Sequence, residues 1–329
     1  NRIRTCVGAT YCSNYGYCIQ NPATAREKTL PHKIRKSRQR KKIIVVGGGP
    51  AGLEAARVSA ERGHEVHLYE ATNQLGGQLN LAKKLSWRKD LAGIVDWLLA
   101  ECELLGVNFH MNVFLEHTDV ESLKSDVVIL ATGGFPHTNW VKGDARTLSS
   151  WDVLGGGKLE GSIFVHDETG KSISLTVADY LSNNATEVIL NTPDPTIGME
   201  AMRMEISPFM KRLYKKGVIM QVDHDIVEVL RDKNRINVIL KNTHTGEKTT
   251  KVVDHFVLES GTIPNDDLFY ELRSKALNKG VIDLDKMVAG EAQAFFEGDG
   301  FHLYRVGDAV TSRDVHCAIL DSLRICKEL

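Results

Sequence analysis

Three glycines in the segment KKIIVVGGGPAGLEAARVSAERG, Gly47, Gly49 and Gly52, constrain the fold of this chain more than any other feature. The apolar run IIVV before them is typical of a buried parallel strand. Residues 53–62 after them have the length and pattern of a helix, and Gly63 suits its left-handed end. The next strand reads EVHLYEA. Since two strands joined through a helix lie parallel, the order predicts a right-handed βαβ unit.

The glycines have separate roles in a turn of this kind. Gly47 permits the tight turn, Gly49 lets the backbone approach a pyrophosphate, and Gly52 lets helix and strand pack closely. The helix start, including Pro50, is a candidate phosphate site because its N–H groups and positive dipole end face the ligand. Glu70, which ends the second strand, is placed to accept hydrogen bonds from a ribose diol and to repel a 2′-phosphate. The sequence therefore predicts FAD, ADP or NAD here and excludes NADP.

A second alternation of strands and helices begins near Gly161. It contains the strand GSIFVHD, a helix at 174–181, the strand TEVILNT, a long helix at 202–216 and the strand VIMQV, and a meander over residues 225–256 closes it. The turn after its first strand reads VHDETGKSISL. Asp167 and Glu168 stand there where a pyrophosphate needs bare backbone, and carboxylates repel it. We therefore expect no nicotinamide binding in this second unit.

The expected fold class is α/β, with two dinucleotide-binding (Rossmann-like) domains, the second inserted into the first, and an N-terminal cysteine-containing loop segment. A length of 329 residues suits two domains. The predicted boundaries are 1–40 for the cysteine-containing segment and a basic linker, 41–150 with 257–329 for the FAD- or ADP-binding domain, and 151–256 for a second, NAD(P)-binding-like domain with a degenerate glycine motif.

Charge and hydropathy restrict the partners. Lys and Arg number 41 against 42 Asp and Glu, so no overall field favours nucleic acid or an anionic membrane. The apolar runs fall short of the ~20 residues that span a bilayer. The N-terminus lacks the apolar stretch of a secretory signal, which predicts reduced thiols and a cytoplasmic protein. A homo-oligomer is compatible with these features.

The strings VVGGGPAGLEAA, LYEATNQLGGQL, VVILATGG and YRVGDA resemble the successive signatures of flavoproteins with two dinucleotide-binding domains. The resemblance implies that Gly77 and Gln78 lie along the cofactor. It implies that Thr132 and Gly133 bring the chain back to it. It also implies that Asp308, in the pair Gly307–Asp308, bonds the ribityl chain of a flavin, whereas the residues alone allow a helix N-cap at Asp308.

The cysteine segment resembles the C-terminal half of a group of flavin and iron–sulfur oxidoreductases that includes 2,4-dienoyl-CoA reductase, trimethylamine dehydrogenase and histamine dehydrogenase. In that group a barrel with FMN comes first, so FMN is expected on a barrel that this chain lacks, and the chain on this interpretation is cut at its N-terminal edge. Cys6, Cys12 and Cys18 take three of the group's four ligand positions, and Ala9 takes the second. A three-iron cluster, a cluster completed by water or Tyr11, zinc, a lost cluster and unligated thiols all stay open.

The function that the resemblance implies is the FAD- or ADP-binding electron-transfer portion of a multidomain NADH:flavin-oxidoreductase or amine-dehydrogenase-like enzyme. Its partners would be a small-molecule substrate and an electron donor or acceptor, such as an electron-transfer protein, with the substrate chemistry on the FMN barrel. The first alternative is a self-contained NAD(P)H-dependent FAD reductase. The second is a non-catalytic docking module filled by ADP. His316 either approaches a flavin ring or lies on a helix surface.

Overall fold

The fold is described from a computed structural model, which describes residues 3–84 and 88–329. The strands are β1 Lys42–Val46, β2 Glu65–Glu70, β3 Asn108–Met111, β4 Val127–Leu130, β5 Gly134–Pro136, β6 Thr147–Ser149, β7 Ser162–Asp167, β8 Glu187–Asn191, β9 Ile219–Gln221, β10 His224–Asp232, β11 Arg235–Asn242, β12 Lys248–Val253, β13 His255–Glu259, β14 Thr262–Pro264 and β15 His302–Arg305.

The helices follow the same chain order. They are α1 Tyr11–Tyr15, α2 Pro50–Glu61, α3 Leu79–Ala82, α4 Ala92–Leu104, α5 His117–Ser122, α6 Ser150–Gly155, α7 Ser172–Leu181, α8 Arg203–Lys215, α9 Asp267–Leu272, α10 Leu284–Ala289 and α11 Val315–Cys326, with 3-10 turns at Lys89–Leu91 and Gly307–Ala309. None of these helices, within the described ranges, combines the length and the apolar character that a bilayer crossing needs.

The chain divides into two compact units, and the second is an insertion in the first. The first unit runs up to Phe135 and resumes over Ile263–Leu329, and the second is Pro136–Thr262. Strand β6 pairs with β13 and therefore belongs to the sheet of the second unit. Both units are built on parallel sheets, which confirms the predicted α/β class with two Rossmann-like folds.

The first unit is a parallel sheet with the strand order β15-β4-β1-β2-β3. Strand β1 is central, and its residues Ile43, Ile44 and Val45 are fully buried, as a parallel strand covered on both faces requires. The chain leaves β1 for β2 on one side, while β4 lies on the other side. The carboxyl ends of β1 and β4 therefore form the switch point at which open α/β sheets bind ligands.

Helix α2 begins three residues before the predicted start, at Pro50, and ends at Glu61. Gly49 is its N-cap and Pro50 occupies the first turn, where the fixed φ of proline suits a helix and its missing N–H costs nothing. The helix is buried along most of its length against the sheet and against α4 and α11. Its small residues Ala51, Ala55 and Ala56 permit this close packing.

The cysteine-containing segment, predicted as a loop, is packed onto the core of the first unit. Val7, Ala9, Leu30 and Ile34 are buried in the same apolar cluster as β1 and α2. These apolar residues are too widely spaced for any helix or strand period, which is why the sequence did not reveal their burial.

The second unit has its own parallel sheet with the order β6-β13-β7-β8-β9, and an antiparallel meander β10-β11-β12. The sequence placed the segment DHFVLES in the meander. The structure corrects this, because β13 joins the parallel sheet between β6 and β7. The run Phe256, Val257 and Leu258 is fully buried, which fits a strand covered on both faces rather than a half-solvated meander strand.

A buried ion pair lies inside α2. The guanidinium of Arg57 donates from Nε and Nη2 to the two carboxylate oxygens of Glu54, at 2.7 and 2.8 Å, and from Nη1 to Glu61 at 2.6 Å. The side chain of Glu54 is fully buried and that of Glu61 is 27% exposed. Arg4 lies 3.8 Å from Glu54 and thereby connects the cysteine-containing segment to α2.

We expect Glu54→Leu to lower the free energy of unfolding by about 3–5 kcal/mol, because it leaves the buried Arg57 charge without its bidentate partner. The matched control is Glu61→Gln, which removes a partly exposed partner of the same arginine and is expected to cost about 1 kcal/mol or less. Denaturant unfolding of both variants measures the difference. Equal losses in the two variants would contradict a dominant Glu54–Arg57 pair.

Candidate functional site

The turn after β1 requires glycine at two of its three motif positions for packing reasons. Gly47 has φ +103°, and a Cβ atom there would lie 2.3 Å from the carbonyl oxygen of Ala131. A Cβ at Gly52 would lie 1.9 Å from the carbonyl oxygen of Gly47. Any side chain at either position would separate helix α2 from the ends of β1 and β4.

Gly49 differs from the other two glycines. Its φ of −71° suits any residue, and a Cβ atom there would meet no protein atom within 4 Å. The fold itself therefore does not require glycine at this position. The open space lies at the N-terminus of the 12-residue helix α2, where N–H groups and the helix dipole favour an anion.

Glu70 lies beside the turn, at the end of β2. One carboxylate oxygen accepts a hydrogen bond from the N–H of Gly48 at 2.8 Å, and the other accepts from the N–H and the hydroxyl of Thr72 at 2.8 and 2.7 Å. These bonds fix the carboxylate at the edge of the glycine turn. A carboxylate has about four acceptor positions, so the geometry leaves capacity for a ribose hydroxyl.

Two further predicted segments converge on the same turn. The amide of Gln78 donates to Oδ2 of Asp308 at 2.9 Å. A Cβ atom at Gly77 would lie 3.2 Å from the Cα of Gly49, and one at Gly307 would lie 2.9 Å from the Cβ of Ala51. The structure therefore brings the segments around Gly47, Gly77 and Gly307 together, although they are far apart in sequence.

Asp308 does not have the alternative role of a helix N-cap. It lies inside the short 3-10 turn Gly307–Ala309, whose N-cap is Val306, and that turn has no side-chain cap. Its second oxygen accepts a hydrogen bond from the N–H of Arg313 at 3.4 Å.

The strand end after β4 is held by a different contact. The hydroxyl of Thr132 donates to the carbonyl of Asn265 at 2.5 Å, and the N–H of Asn265 donates to the carbonyl of Gly133 at 3.0 Å. Gly133 has φ +75°, a left-handed conformation that favours glycine. Ala131, one residue earlier, contacts the turn at Gly47 directly.

The three N-terminal cysteines are free thiols; Cys6 and Cys12 are exposed and Cys18 is partly exposed. Within the described ranges, their sulfur atoms do not form a group lying within 4.8 Å of one another. Thiolates on one zinc ion lie closer together than this, because each Zn–S bond is about 2.3 Å, so the arrangement does not favour zinc. A cluster separates its ligands more widely, so this distance does not test one.

Tyr11 is engaged elsewhere. Its hydroxyl donates to Asp314 at 3.0 Å, and burial, together with the Asp314 carboxylate, raises the pKa of Tyr11 well above its ordinary value. A metal-binding tyrosine is a phenolate, which this site disfavours. Ala9, at the second of the group's four ligand positions, is part of the apolar core.

His316 is buried, so the interpretation that it lies on a helix surface was wrong. Its Nε2 lies 3.1 Å from Nη1 of Arg26, and its Nδ1 lies 2.9 Å from the carbonyl of Cys18. Because arginine only donates, Nε2 accepts and Nδ1–H donates to Cys18. Burial lowers the pKa of His316, which maintains the neutral form. His316 therefore ties the cysteine-containing segment to α11, a role that no local pattern could reveal.

The corresponding turn of the second unit is filled by a protein side chain. The carboxylate of Asp167 accepts hydrogen bonds from the N–H groups of Thr169 and Gly170, at 2.9 and 3.1 Å, and from the hydroxyl of Ser174 at 2.6 Å. These are the loop and helix-start donors that would face a phosphate in a nucleotide-binding turn. Asp167 is 1% exposed, so its carboxylate occupies the turn from inside.

A second carboxylate lies beside Asp167 on the neighbouring strand. Glu259 is the residue paired with Asp167 in the β13–β7 ladder, and it is also buried. Burial raises the pKa of both groups, and the charge of Asp167 contributes to the rise at Glu259. Two acids thus occupy the switch point of this sheet, where a dinucleotide would place its pyrophosphate.

A third group in this unit was missed by the sequence reasoning. Ligand atoms of His166, Glu168 and Asp225 lie within 4.8 Å of one another. The amide nitrogen of Asn191 lies 2.7 Å from Nδ1 of His166 and donates to the carbonyl of His224 at 2.8 Å. A donating Asn191 makes Nδ1 an acceptor and leaves the proton of His166 on Nε2, which lies 2.7 Å from Glu168. Both ring nitrogens of His166 are therefore engaged, by Asn191 and by Glu168.

The sequence profile of the pyridine nucleotide-disulphide oxidoreductase family matches residues 41–318. The chain belongs to this family. Similar proteins include a "Probable N-methylproline demethylase" from Rhizobium meliloti, which is 40% identical over 99% of this chain and 50% of its own length. The N,N-dimethylglycine/sarcosine dehydrogenase of Chromohalobacter salexigens is 38% identical over 100% of this chain and 51% of its own length.

Among solved structures, histamine dehydrogenase from Rhizobium sp. 4-9 superposes with a TM-score of 0.85 at 22% identity, over 99% of this chain and 51% of that protein. This similarity supports the fold. The chain spans about half the length of the curated relatives it matches. Family and relatives together identify a flavin- and nucleotide-binding oxidoreductase, and they confirm the resemblance to the amine dehydrogenase group.

This pyridine nucleotide-disulphide oxidoreductase family member lacks the Cys-x-x-Cys spacing of a redox disulfide. Its cysteines stand at Cys6, Cys12, Cys18, Cys102, Cys317 and Cys326, and all are free thiols. Burial raises the pKa of Cys102 and Cys326 to about 12, which makes them unreactive at neutral pH.

We expect Glu259→Gln to stabilise this oxidoreductase increasingly as pH rises. Burial raises the pKa of Glu259 in the folded state, so the folded protein retains a proton that the unfolded chain releases. The stabilising contribution of that proton is present below the unfolded value of about 4.3 and is lost as pH rises through the raised pKa. The amide cannot ionise and keeps an acceptor for the N–H of Gly261.

The melting temperature of the variant should exceed that of the wild type by about 2–4 °C near pH 8 and should converge with it as pH falls to about 4. Differential scanning calorimetry across this range measures the effect. The control is Glu247→Gln, an exposed glutamate of the same unit. A difference that is constant with pH would contradict the ionisation argument.

Proposed function

We propose that the first unit binds FAD at the Gly47–Gly52 turn and serves as the electron-transfer portion of a larger flavin oxidoreductase of the amine-dehydrogenase kind. The observation that carries the proposal is Gly49, whose missing side chain leaves open space at a helix N-terminus and relieves no contact in the protein. Close approach of a pyrophosphate explains a glycine there. Bound FAD supplies the redox chemistry, and this chain supplies placement and electrostatics.

The proposed contacts follow the length of the cofactor. Glu70 accepts from the adenosine ribose, and Gly47, Gly49, Pro50 and Gly52 enclose the pyrophosphate. Beyond them the proposed cofactor-binding residues are Gly77, Gln78, Thr132, Gly133, Gly307 and Asp308. The Gln78–Asp308 hydrogen bond supports FAD over ADP, because it orients a carboxylate that follows β15, on the other side of β1 from Glu70 at the end of β2.

We propose Cys6, Cys12 and Cys18 as ligands of an iron–sulfur cluster whose remaining ligand is not a cysteine. Ala9 cannot supply it, and Tyr11 is held protonated by Asp314. FMN and the small-molecule substrate belong, on this proposal, to the half of the relatives that this chain does not match. The electron donor or acceptor is an electron-transfer protein, neither nucleic acid nor membrane being a partner, and the cytoplasm is the proposed location.

A self-contained NAD(P)H-dependent FAD reductase is the alternative function, and the second unit disfavours it. Asp167 already accepts the hydrogen bonds of the turn, and Asp167 and Glu259 place two acids at the switch point. A pyrophosphate would have to displace one buried carboxylate and face the other, which costs more than an open turn does. We therefore assign the second unit no nucleotide.

Gly49→Ala and Gly52→Ala separate ligand binding from folding. We expect nucleotide-free Gly49→Ala to melt at the same temperature as the nucleotide-free wild type. We expect its affinity for the nucleotide to fall by about tenfold or more, the equivalent of about 1.4 kcal/mol in binding free energy. We expect Gly52→Ala to lose about 1–3 kcal/mol of stability from overpacking against Gly47. Thermal melts of the nucleotide-free proteins and acid extraction of the bound nucleotide measure both effects.

The extract also distinguishes the rival functions. FAD supports the proposal, whereas ADP without flavin supports the non-catalytic docking module. If Gly49→Ala retains wild-type nucleotide content, the assignment of this turn is wrong.

Anaerobic titration tests the second unit. We expect neither NADH nor NADPH to bleach the bound flavin, while dithionite, as the positive control, bleaches it fully. Rapid bleaching by either nicotinamide would instead identify a self-contained reductase and overturn the assignment of Asp167.

A further inference from the structure

The second unit contains a cavity at the edge of its sheet opposite the Asp167 turn. It is bounded by the amino ends of β6 and β13, by helix α6, and by the hairpin turn between β10 and β11. Because the strands are parallel, the Asp167 turn lies at their carboxyl ends, so this cavity is separate from the nucleotide position of the fold. Its volume is about 460 Å³, within the range of small-molecule sites.

The rim of the cavity is cationic. Arg146, Arg231, Lys233 and Arg235 line it, against the carboxylates of Asp152 and Asp254. Both carboxylates are already engaged by the protein. The Oδ2 of Asp254 accepts from the N–H and hydroxyl of Ser162 while its Oδ1 pairs with Arg235 at 3.0 Å, and Asp152 accepts from the N–H and hydroxyl of Ser149.

Positive charge therefore remains unpaired at the rim. Among the residues that the structure describes, the side chains of Arg146, Arg231 and Lys233 form no ion pair. Arg146 acts on Asp152 only through space, where its charge adds to the Ser149 hydrogen bonds that lower the pKa of Asp152. A concave surface with several like charges concentrates counter-ions. The three cationic side chains are therefore placed to bind an anion.

The hairpin turn between β10 and β11 positions one of the rim cations. Asp232 pairs with Arg235, so the loop has two residues. Such loops need a left-handed residue, and Lys233 is that residue, with φ +53°.

The floor of the cavity is apolar. Leu148, Val153 and Phe256 are buried below the rim, and Ile236 and Leu159 are partly exposed beside it. A site with cations at its rim and an apolar floor recognises an organic anion rather than a bare ion, because the apolar part gains by leaving water.

We propose that this cavity binds a small organic anion whose phosphate or carboxylate is held by Arg146, Arg231 and Lys233 and whose apolar group rests on Leu148 and Ile236. The proposal is independent of the FAD site, because every residue involved lies within the second unit. The second unit would thus bind its ligand in this cavity and not at the turn after β7, which the Asp167 carboxylate occupies.

Isothermal titration calorimetry with phenyl phosphate tests the proposal, with benzoate as the carboxylate arm and phenol as the neutral arm. We expect saturable binding of one of the anions that weakens with salt and weaker binding of phenol. The tighter anion identifies the acidic group. Arg146→Gln with Lys233→Gln should weaken the anion by about tenfold or more, the equivalent of one charge-assisted hydrogen bond.

The matched control is Lys211→Gln with Lys215→Gln, which removes the same charge from the exposed face of α8 in the same unit. It should leave the affinity unchanged, as should Gly49→Ala, so failure here is distinguishable from failure at the FAD site. The proposal is overturned if neither anion binds saturably, if phenol binds as tightly as the anions, or if the control double variant weakens binding equally.

Discussion

The close approach of α2 to the end of β1 is the constraint on which the first unit depends. With the would-be Cβ of Gly52 only 1.9 Å from the carbonyl of Gly47, helix and strand are packed as tightly as backbone allows. That contact positions the N-terminus of α2 at the switch point, beside Glu70, and it lets the Gly307 turn pack against Ala51. The alanine-rich face of α2 and the buried Glu54–Arg57 pair then stabilise the helix in that place. Everything proposed about the cofactor follows from the helix end that this packing presents.

The two units share a fold but differ in the charge at the turn after the first strand of the parallel sheet. In the first, no carboxylate of the described residues accepts from the N–H groups of Gly49, Ala51 or Gly52, and Glu70 stands to one side on Gly48. In the second, Asp167 accepts the N–H groups of Thr169 and Gly170 itself. An internal carboxylate is held covalently at the site, so it competes with a dissolved phosphate without the entropy cost of association. A single aspartate at the end of β7 thus takes up the hydrogen-bond donors of the turn while preserving the sheet, and the cationic cavity lies at the opposite edge of that sheet.

The sequence predicted what local pattern determines and missed what distant residues determine. The glycine turn, β1, β2 and the inserted second fold followed from periodicity and turn chemistry, and the start of α2 was missed by three residues at Pro50. The β13 strand was misplaced because its apolar run is as compatible with a meander as with a parallel sheet until its neighbours β6 and β7 are known. His316 was misread because its partners, Arg26 and Cys18, lie almost the whole chain away. The domain boundaries and the cofactor contacts remain predictions.

The cysteine-containing segment shows how an incomplete ligand set is compatible with a stable structure. A loop organised only by a cluster would lose its structure with a ligand, since metal binding and folding are then a single equilibrium. Here Val7, Ala9 and Leu30 belong to the core of the first unit, and His316 holds the carbonyl of Cys18 from α11. Ala9 contributes burial where a thiolate would contribute a metal bond, so the segment keeps its position without a fourth cysteine. The segment is therefore held in place by core packing and by His316, and a fourth thiolate is not needed for its structure.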